Sequence, residues 1–239
     1  TRYAEPILIH LYSEVLQKFR LAAQGKGITR KPPAHLKQRI ETYFDPLPFY
    51  FDPLEVQATD THKYPLAAVT QRPMAMYHSW DSQNAWLRQI HAHNYLFINA
   101  RTARLAGIDD GDWIWVESQW GKVRCMARHS EAVEPGTVWT WNAIGKAAGA
   151  WNLTPDANES RLGFLLNHVI SEELPAGQSR ISNSDPVTGQ AAWYDVRVRI
   201  SKVSPGETAE TSPQFEPLKP YPGQAERRSL WAYMKGAVK

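Results

Sequence analysis

The residues best suited to ligand chemistry stand in polar loops between apolar, strand-like runs. They form four groups: residues 71–72, residues 78–84, Asn142 with Asn167, and residues 183–185 with Gln190. An arginine can grip a phosphate through two N–H groups, and serine hydroxyls can complete the shell of the anion. Asn, Gln and Asp side chains pair with the edge of a heterocycle. The combination favours a ligand that carries both phosphates and a purine-like or pterin-like ring.

Each of these residues also has an ordinary structural explanation. Asp185, followed by Pro186, would start a turn, Asn167 would cap a helix end, and Ser79 would bond its own loop. For any single residue we favour the structural role. For the group as a whole we favour ligand binding, because a rigid scaffold usually carries its binding residues on the loops between strands.

Tryptophan is abundant, with ten residues in the chain. Those inside strand-like runs are expected to pack against the core or the outer face of a sheet. Trp80, Trp141 and Trp193 instead adjoin the polar loops. These three residues could pack in the core, or their rings could line the binding site of a flat heterocycle, and the sequence leaves both interpretations open.

Complete catalytic and metal-binding motifs are missing from the sequence. His91 and His93 stand two residues apart, but no third ligand follows nearby, and we interpret them as surface histidines. Cys125 is the only cysteine, so the chain by itself forms no disulfide and holds no iron–sulfur cluster. The 27 basic and 24 acidic residues nearly balance, which argues against nucleic acid as a partner.

The elements that must position these loops form a mainly β pattern with short helices. Alternating apolar residues predict strands over residues 64–70, 113–116, 122–128, 137–141 and 193–200. Asn99 and Gly107 bracket a short predicted helix, because Asn caps helix starts and Gly suits helix ends. A longer helix is predicted over residues 161–174. Strands at this spacing indicate a closed barrel, which leaves few exposed edges.

Composition divides the chain into four parts. Residues 1–24 combine a short strand and a helix, which we interpret as the remnant of a preceding domain. Residues 25–63 are interrupted by prolines and predict an extended connection. The barrel domain spans residues 64–203. Residues 204–239 form a C-terminal tail rich in Pro, Ser, Gly and charge, either disordered or laid along a partner.

Between Tyr64 and Ile200 the sequence resembles a known domain family. Three elements carry the resemblance. The first is Arg72 followed by residues 77–79 and 83–84. The second runs from residues 98–99 through 103, 105 and 107–108 to 111–112, with Gly121 and residues 135–136 after it. The third is residues 183–189, which lead into the last strand. In this order they resemble the molybdopterin dinucleotide-binding C-terminal domain of the dimethyl-sulfoxide-reductase superfamily, whose fold is a double-psi β-barrel. Within the superfamily, HSWDSQNAW at residues 78–86, TVWTWNAIGK at 137–146 and SNSDPVTGQAAW at 182–193 most resemble catalytic subunits that act on sulfur oxyanions, with sulfite dehydrogenases first and thiosulfate and polysulfide reductases next.

The resemblance implies a set of cofactor-binding residues but no catalytic residue and no metal ligand in this chain. Residues at the pyranopterin and phosphates would be Arg72, His78, Ser79, Gln83 and Asn84. Residues at amino or ring groups would be Asn142, Asn167, Asn183 and Asp185, with Gln190, Trp193 and Tyr194 lining the same face.

The implied cofactor is bis-molybdopterin guanine dinucleotide, with molybdenum held through it. In the family, the molybdenum-coordinating side chain and the iron–sulfur cysteines belong to earlier domains. The implied partners are those domains of the same subunit, an iron–sulfur electron-transfer subunit and a membrane-anchor subunit, and the implied location is cytoplasmic, at the membrane. We expect the isolated chain to be inactive and, purified alone, free of cofactor.

Two other interpretations stay open at this point. One is a stand-alone double-psi-barrel module that binds a protein or small ligand without redox activity. The other is a separately encoded subunit that docks to a catalytic half. The sequence begins with Thr1 and not with Met, and a strand-like run already begins at Ile7, so we expect a piece of a longer subunit.

Overall fold

The structure is a computed structural model with two compact units. It describes residues 13–27, 30–78, 80–81, 84–142, 144–145, 153–154, 156–171, 183–191, 196–207 and 215–217. The first unit combines Thr1–Pro53 with Ser184–Ala191, and the second combines Leu54–Asn183 with Ala192–Lys239. The second unit contains every named strand of the described residues.

The described residues of the second unit form seven strands, six of which close into a barrel. The seven strands are β1 Leu66–Gln71, β2 Leu96–Ile98, β3 Trp113–Glu117, β4 Gly121–His129, β5 Thr137–Trp141, β6 Val196–Lys202 and β7 Phe215–Pro217. They pair in the order β2-β5-β1-β6-β3-β4-β7, and a further pairing of β2 with β4 closes the first six. β1 and β5 are parallel, as are β2 and β4. The prediction of a mainly β fold with a closed barrel is confirmed.

Short helices accompany the strands in both units. The α-helices are α1 Ser13–Ala23, α2 Lys37–Tyr43, α3 Leu54–Gln57, α4 Ala85–Ile90, α5 Ala100–Leu105 and α6 Asn158–Arg161, and the 3-10 helices are Ala34–Leu36, Leu166–Val169 and Pro205–Glu207. Within the described part of the chain, these helices are too short or too polar to traverse a bilayer.

The barrel core follows from the alternation of side chains along each strand. In β3, Ile114 and Val116 are fully buried, while Trp113 and Trp115 lie half-buried on the outer face. Outside, Lys122 lies over the ring of Trp115, and Arg124 lies over that of Trp113. Burying each aliphatic side chain contributes about 1.5 to 3 kcal/mol, so the inward-facing residues hold the barrel together.

The short helix after β2 matches its predicted caps. The Asn99 side chain accepts a hydrogen bond from the Arg101 N–H at 2.9 Å and donates to the Val133 carbonyl at 2.7 Å. At the other end, Gly107 adopts a φ of 66°, a left-handed conformation that glycine enters without steric cost. Both ends of α5 could be placed from sequence because caps are local signals.

Two predicted elements differ from the structure. The single helix predicted over residues 161–174 is wrong, because α6 ends at Arg161 and a separate 3-10 helix begins at Leu166. The segment predicted to be extended contains α2 and α3. Pro33 and Pro53 directly precede helical turns, where the missing N–H costs nothing. The four predicted domain boundaries stay predictions.

Candidate functional site

Two predicted site loops leave the barrel side by side. β1 and β5 run parallel with Gln71 opposite Trp141, so both strands end at the same edge. The Asn142 N–H then donates to the Gln71 carbonyl at 2.8 Å and extends the pairing by one residue. Arg72 and Asn142 therefore emerge together, although they are 70 residues apart in the sequence.

The loop after β1 folds back to meet Asn142. The Asn142 Nδ2 lies 3.3 Å from the His78 Nδ1. His78 has a φ of 51°, an uncommon conformation for a residue with a Cβ, and Tyr77 donates its N–H to the Asp81 carboxylate at 2.9 Å. Strained backbone of this kind concentrates at binding sites. The Arg72 guanidinium lies 5.3 Å from the centre of the Tyr77 ring.

A second polar cluster surrounds the buried Asn183. Its Nδ2 donates to the Glu55 carboxylate at 3.0 Å and to the Ser171 carbonyl at 3.2 Å. Glu55 also accepts from the indole N–H of Trp120, in the turn between β3 and β4, at 2.9 Å. β6 runs antiparallel to both β1 and β3, so β1 and β3 point in the same direction. Through β6, Glu117 at the end of β3 lies level with the start of β1, because Glu117 pairs with Arg199 and Leu66 pairs with Val198.

The predicted site residues of the first unit form a tight turn. Asp185 Oδ1 accepts from the N–H groups of Val187 and Thr188, at 3.0 and 2.6 Å, and from the Thr188 hydroxyl at 2.8 Å. Gln190 is exposed, and its carbonyl accepts from the Asp185 N–H at 2.7 Å. The structure therefore shows the turn-forming role of Asp185, and its cofactor contact stays a prediction.

The same turn lines a basic cleft within the first unit. The cleft has a volume of about 950 Å³, and residues 186–189 contribute to its wall together with Phe19, Ile40 and Phe44. Arg30, Lys31 and Arg39 supply positive charge to the lining. Arg39 also donates to the carbonyls of Asp185 and Pro186, at 3.0 and 2.7 Å, and so holds the turn in place. An apolar cleft with cations suits an anionic ligand with a flat or apolar portion.

The turn around Asp185 should make stability depend on pH. Burial opposes ionisation of Asp185, but the hydrogen bonds from Thr188 and Val187 outweigh it and keep its pKa below the ordinary 3.8. Because the folded pKa is depressed, the ionised group stabilises the fold above pH 3.8, and this contribution is lost as pH falls through the folded value. We expect Asp185→Asn to lower the thermal midpoint at neutral pH and the difference from wild type to shrink in acid.

Thermal unfolding across this pH range, with Glu131→Gln as a control at an exposed position, measures the effect. A difference between Asp185→Asn and wild type that stays constant from neutral pH to acid would contradict it.

Other predicted residues are more loosely placed. Asn84 is exposed and caps α4 by accepting from the Trp86 and Leu87 N–H groups. Asn167 is exposed on the 3-10 helix Leu166–Val169. Predicted residues that lie outside the described residues are Ser79, Gln83, Trp193 and Tyr194.

The aromatic residues near the loops differ in environment. Trp141 packs edge-on against Trp139, with ring centroids 4.7 Å apart, and lies 5.4 Å from the His91 ring. Trp80 is 72% exposed. Packing therefore accounts for Trp141, whereas Trp80 remains open to a ligand. Among the described residues, no group of three His, Cys, Asp or Glu side chains is arranged to hold a metal ion.

Glu55 is the residue that sequence reasoning missed. Its side chain, on α3, is fully buried. It accepts hydrogen bonds from Gln119, Trp120 and Asn183, which lie 64, 65 and 128 positions later in the sequence. A charged residue between Leu54 and Val56 was the only available signal, and this pattern is common on amphipathic helices.

The described residues of the second unit fit a heterocycle that carries hydrogen-bond donors. Asn142 Oδ1 and Asn183 Oδ1 are buried acceptors without a hydrogen-bond partner among the described residues, and buried acceptors normally have one. They would take the amino or ring N–H groups of a heterocycle. In the first unit, taken by itself, the cations of the basic cleft suit an anion such as phosphate.

Comparisons with known proteins agree with this chemistry. Residues 66–172 match the family model described as the molydopterin dinucleotide binding domain. The chain is 69% identical over 238 residues to a sulfite dehydrogenase subunit of Allochromatium vinosum, covering 98% of this chain and 25% of that protein. It is 27% identical over 163 residues to the molybdopterin-containing subunit of thiosulfate reductase of Salmonella typhimurium, covering 68% of this chain and 18% of that protein.

A solved structure supports the fold. Acetylene hydratase from Pelobacter acetylenicus superimposes with a TM-score of 0.52 at 23% identity, covering 66% of this chain and 22% of that chain. The chain thus spans a quarter or less of the length of these relatives. The family match and the sulfite dehydrogenase similarity together show that this chain belongs to the dimethyl-sulfoxide-reductase superfamily and carries its C-terminal molydopterin dinucleotide binding domain.

Proposed function

We propose that this chain is the C-terminal cofactor-binding portion of the catalytic subunit of a molybdenum oxidoreductase. Its ligand is bis-molybdopterin guanine dinucleotide, and the intact enzyme acts on a sulfur oxyanion, with sulfite as the first candidate. The 69% identity to a sulfite dehydrogenase subunit over nearly the whole chain carries this proposal. The amide oxygens of Asn142 and Asn183, which are buried and have no partner in the described part of the chain, support it because they suit the donor groups of a pterin or guanine.

The role of this chain in the reaction is to bind and orient the cofactor. When bound, the molybdenum cofactor supplies the exchange of two electrons and an oxygen atom, so the protein contributes position and electrostatics. Asn142 is oriented by its contact with His78, and Asn183 by its contact with Glu55. Arg72 lies at the barrel end beside Asn142 and would pair with a phosphate.

The proposal includes the type of barrel and the subunits with which the chain assembles. The closed six-strand order and the two parallel strand pairs support a double-psi β-barrel. The remaining domains of the subunit would carry the molybdenum ligand and the iron–sulfur cluster. An iron–sulfur subunit and a membrane-anchor subunit would complete a membrane-associated enzyme on the cytoplasmic side.

The proposal is tested by the cofactor content of the whole catalytic subunit. We expect purified wild-type subunit to contain pterin and molybdenum, measured by fluorescence of the oxidised pterin and by mass spectrometry. Replacing Ser79, Asn183 and Asp185 together by alanine should markedly lower both, since deleted hydrogen bonds to a ligand each weaken its binding. The Glu131→Gln subunit serves as the control. Wild-type subunit without pterin, or a triple variant with unchanged content, would refute the assignment.

A further inference from the structure

Glu55 is a fully buried carboxylate held by uncharged donors from separate parts of the second unit. Its Oε1 accepts from the Gln119 amide at 3.1 Å and the Trp120 indole at 2.9 Å. The Thr59 hydroxyl lies 3.1 Å from Oε1 and donates its proton to the Glu55 backbone carbonyl at 2.7 Å. Glu55 Oε2 accepts from Asn183 at 3.0 Å. Among the described residues, Glu55 has no salt-bridge partner. Such a group costs free energy to bury, and its role therefore needs an explanation.

The surroundings of Asn183 dictate which way its amide points. The Glu55 carboxylate and the Ser171 carbonyl both accept hydrogen bonds, at 3.0 and 3.2 Å from Asn183 Nδ2. A reversed amide would place its oxygen against these two acceptors. The NH₂ group must therefore face Glu55 and Ser171, and Oδ1 must point away from them. Asn183 is only 8% exposed, and this Oδ1 is buried without a partner among the described residues.

We propose that Glu55 is a positioning residue that fixes Asn183 with its amide oxygen toward the cofactor. The pair thereby selects a hydrogen-bond donor on the ligand, an amino or ring N–H group of a pterin or guanine, and rejects an acceptor at that place. This inference rests on the proposed function. It adds the orientation of the amide, its cause, and the class of ligand group that the site accepts.

Replacing Glu55 by glutamine gives a directional test. Two N–H donors, from Gln119 and Trp120, meet at Oε1, so the glutamine carbonyl will take that place and its NH₂ will face Asn183. Two NH₂ groups then oppose each other. If Asn183 turns over, its oxygen meets the Ser171 carbonyl, and its NH₂ is presented to the ligand. We expect Glu55→Gln to speed cofactor release from the whole catalytic subunit by about tenfold or more, the equivalent of one misplaced hydrogen bond.

A reciprocal change should restore the pair. Asn183→Asp alone sets two carboxylates against each other and should release cofactor faster than wild type. In the double variant Glu55→Gln/Asn183→Asp, the glutamine NH₂ donates to the aspartate, and the second aspartate oxygen again accepts from the ligand. Recovery should be partial, because the Ser171 carbonyl loses its donor. Cofactor release is followed as pterin remaining on the subunit during dialysis, alongside thermal unfolding of cofactor-free subunit.

Matched controls separate positioning from general disruption. Thr59→Val removes the hydroxyl that lies 3.1 Å from Oε1 but leaves the Asn183 contact at Oε2, and it should release cofactor at the wild-type rate. Asn183→Ala should release it faster. The inference is overturned if Glu55→Gln behaves as wild type, if the double variant is no better than either single variant, or if Asn183→Ala has no effect. Those outcomes leave the proposed function standing as long as wild type carries pterin, whereas pterin-free wild type refutes both.

Discussion

Replacing Gly145 with alanine lowers the free energy of unfolding of the chain by about 3 kcal/mol, because no space exists for the added methyl group. A Cβ at this position would lie 2.2 Å from the Phe164 carbonyl oxygen and 2.5 Å from its carbon. These are backbone atoms, so the clash is relieved only by separating two segments of chain. Gly145 lies three residues after Asn142, so the same shift would disturb the proposed cofactor site.

Urea unfolding of Gly145→Ala beside wild type measures this effect. Gly206→Ala is the matched control, since a Cβ there meets nothing within 4 Å. Equal stability of the Gly145→Ala and Gly206→Ala variants would show that the close approach of residues 145 and 164 does not contribute to the fold.

Replacing Asn94 with alanine is expected to cost about 2 to 3 kcal/mol, because it leaves buried backbone groups without partners. Asn94 is fully buried. Its Oδ1 accepts from the Phe164 N–H at 2.9 Å, and its Nδ2 donates to the Phe164 carbonyl at 2.7 Å and more weakly to the Trp141 carbonyl at 3.3 Å. One side chain thus ties the end of β5 to the segment around Phe164.

The free energy of unfolding of Asn94→Ala can be compared with that of Asn84→Ala, which removes an exposed helix cap at a cost of about 1 kcal/mol. A loss at Asn94 no larger than that at Asn84 would mean that water replaces the missing amide. Asn94→Asp separates the two functions of the side chain, since it keeps the acceptor for the Phe164 N–H and loses the donors.

The sequence itself determined the local elements and the chemistry of the ligand. The hairpin of β3 and β4, the strand β5 and the capped helix α5 follow from alternation and cap residues, which act over a few positions. The loop residues 72–84, the run from Ile98 to Gly136 and residues 183–189 indicated the superfamily, and the family match confirmed it. Where the pattern was weak, as over residues 161–174, the predicted helix was wrong.

Only the tertiary structure decided which distant residues meet. The parallel pairing of β1 with β5 brings His78 to Asn142, and the packing of the second unit brings Glu55 to Asn183 across 128 positions. Neither contact has a periodic signal, because side-chain pairs between remote segments depend on strand order and register. The same holds for Gly145. The backbone of Phe164 packs so closely against it that no side chain fits at position 145. Local patterns specify elements, and packing specifies the site.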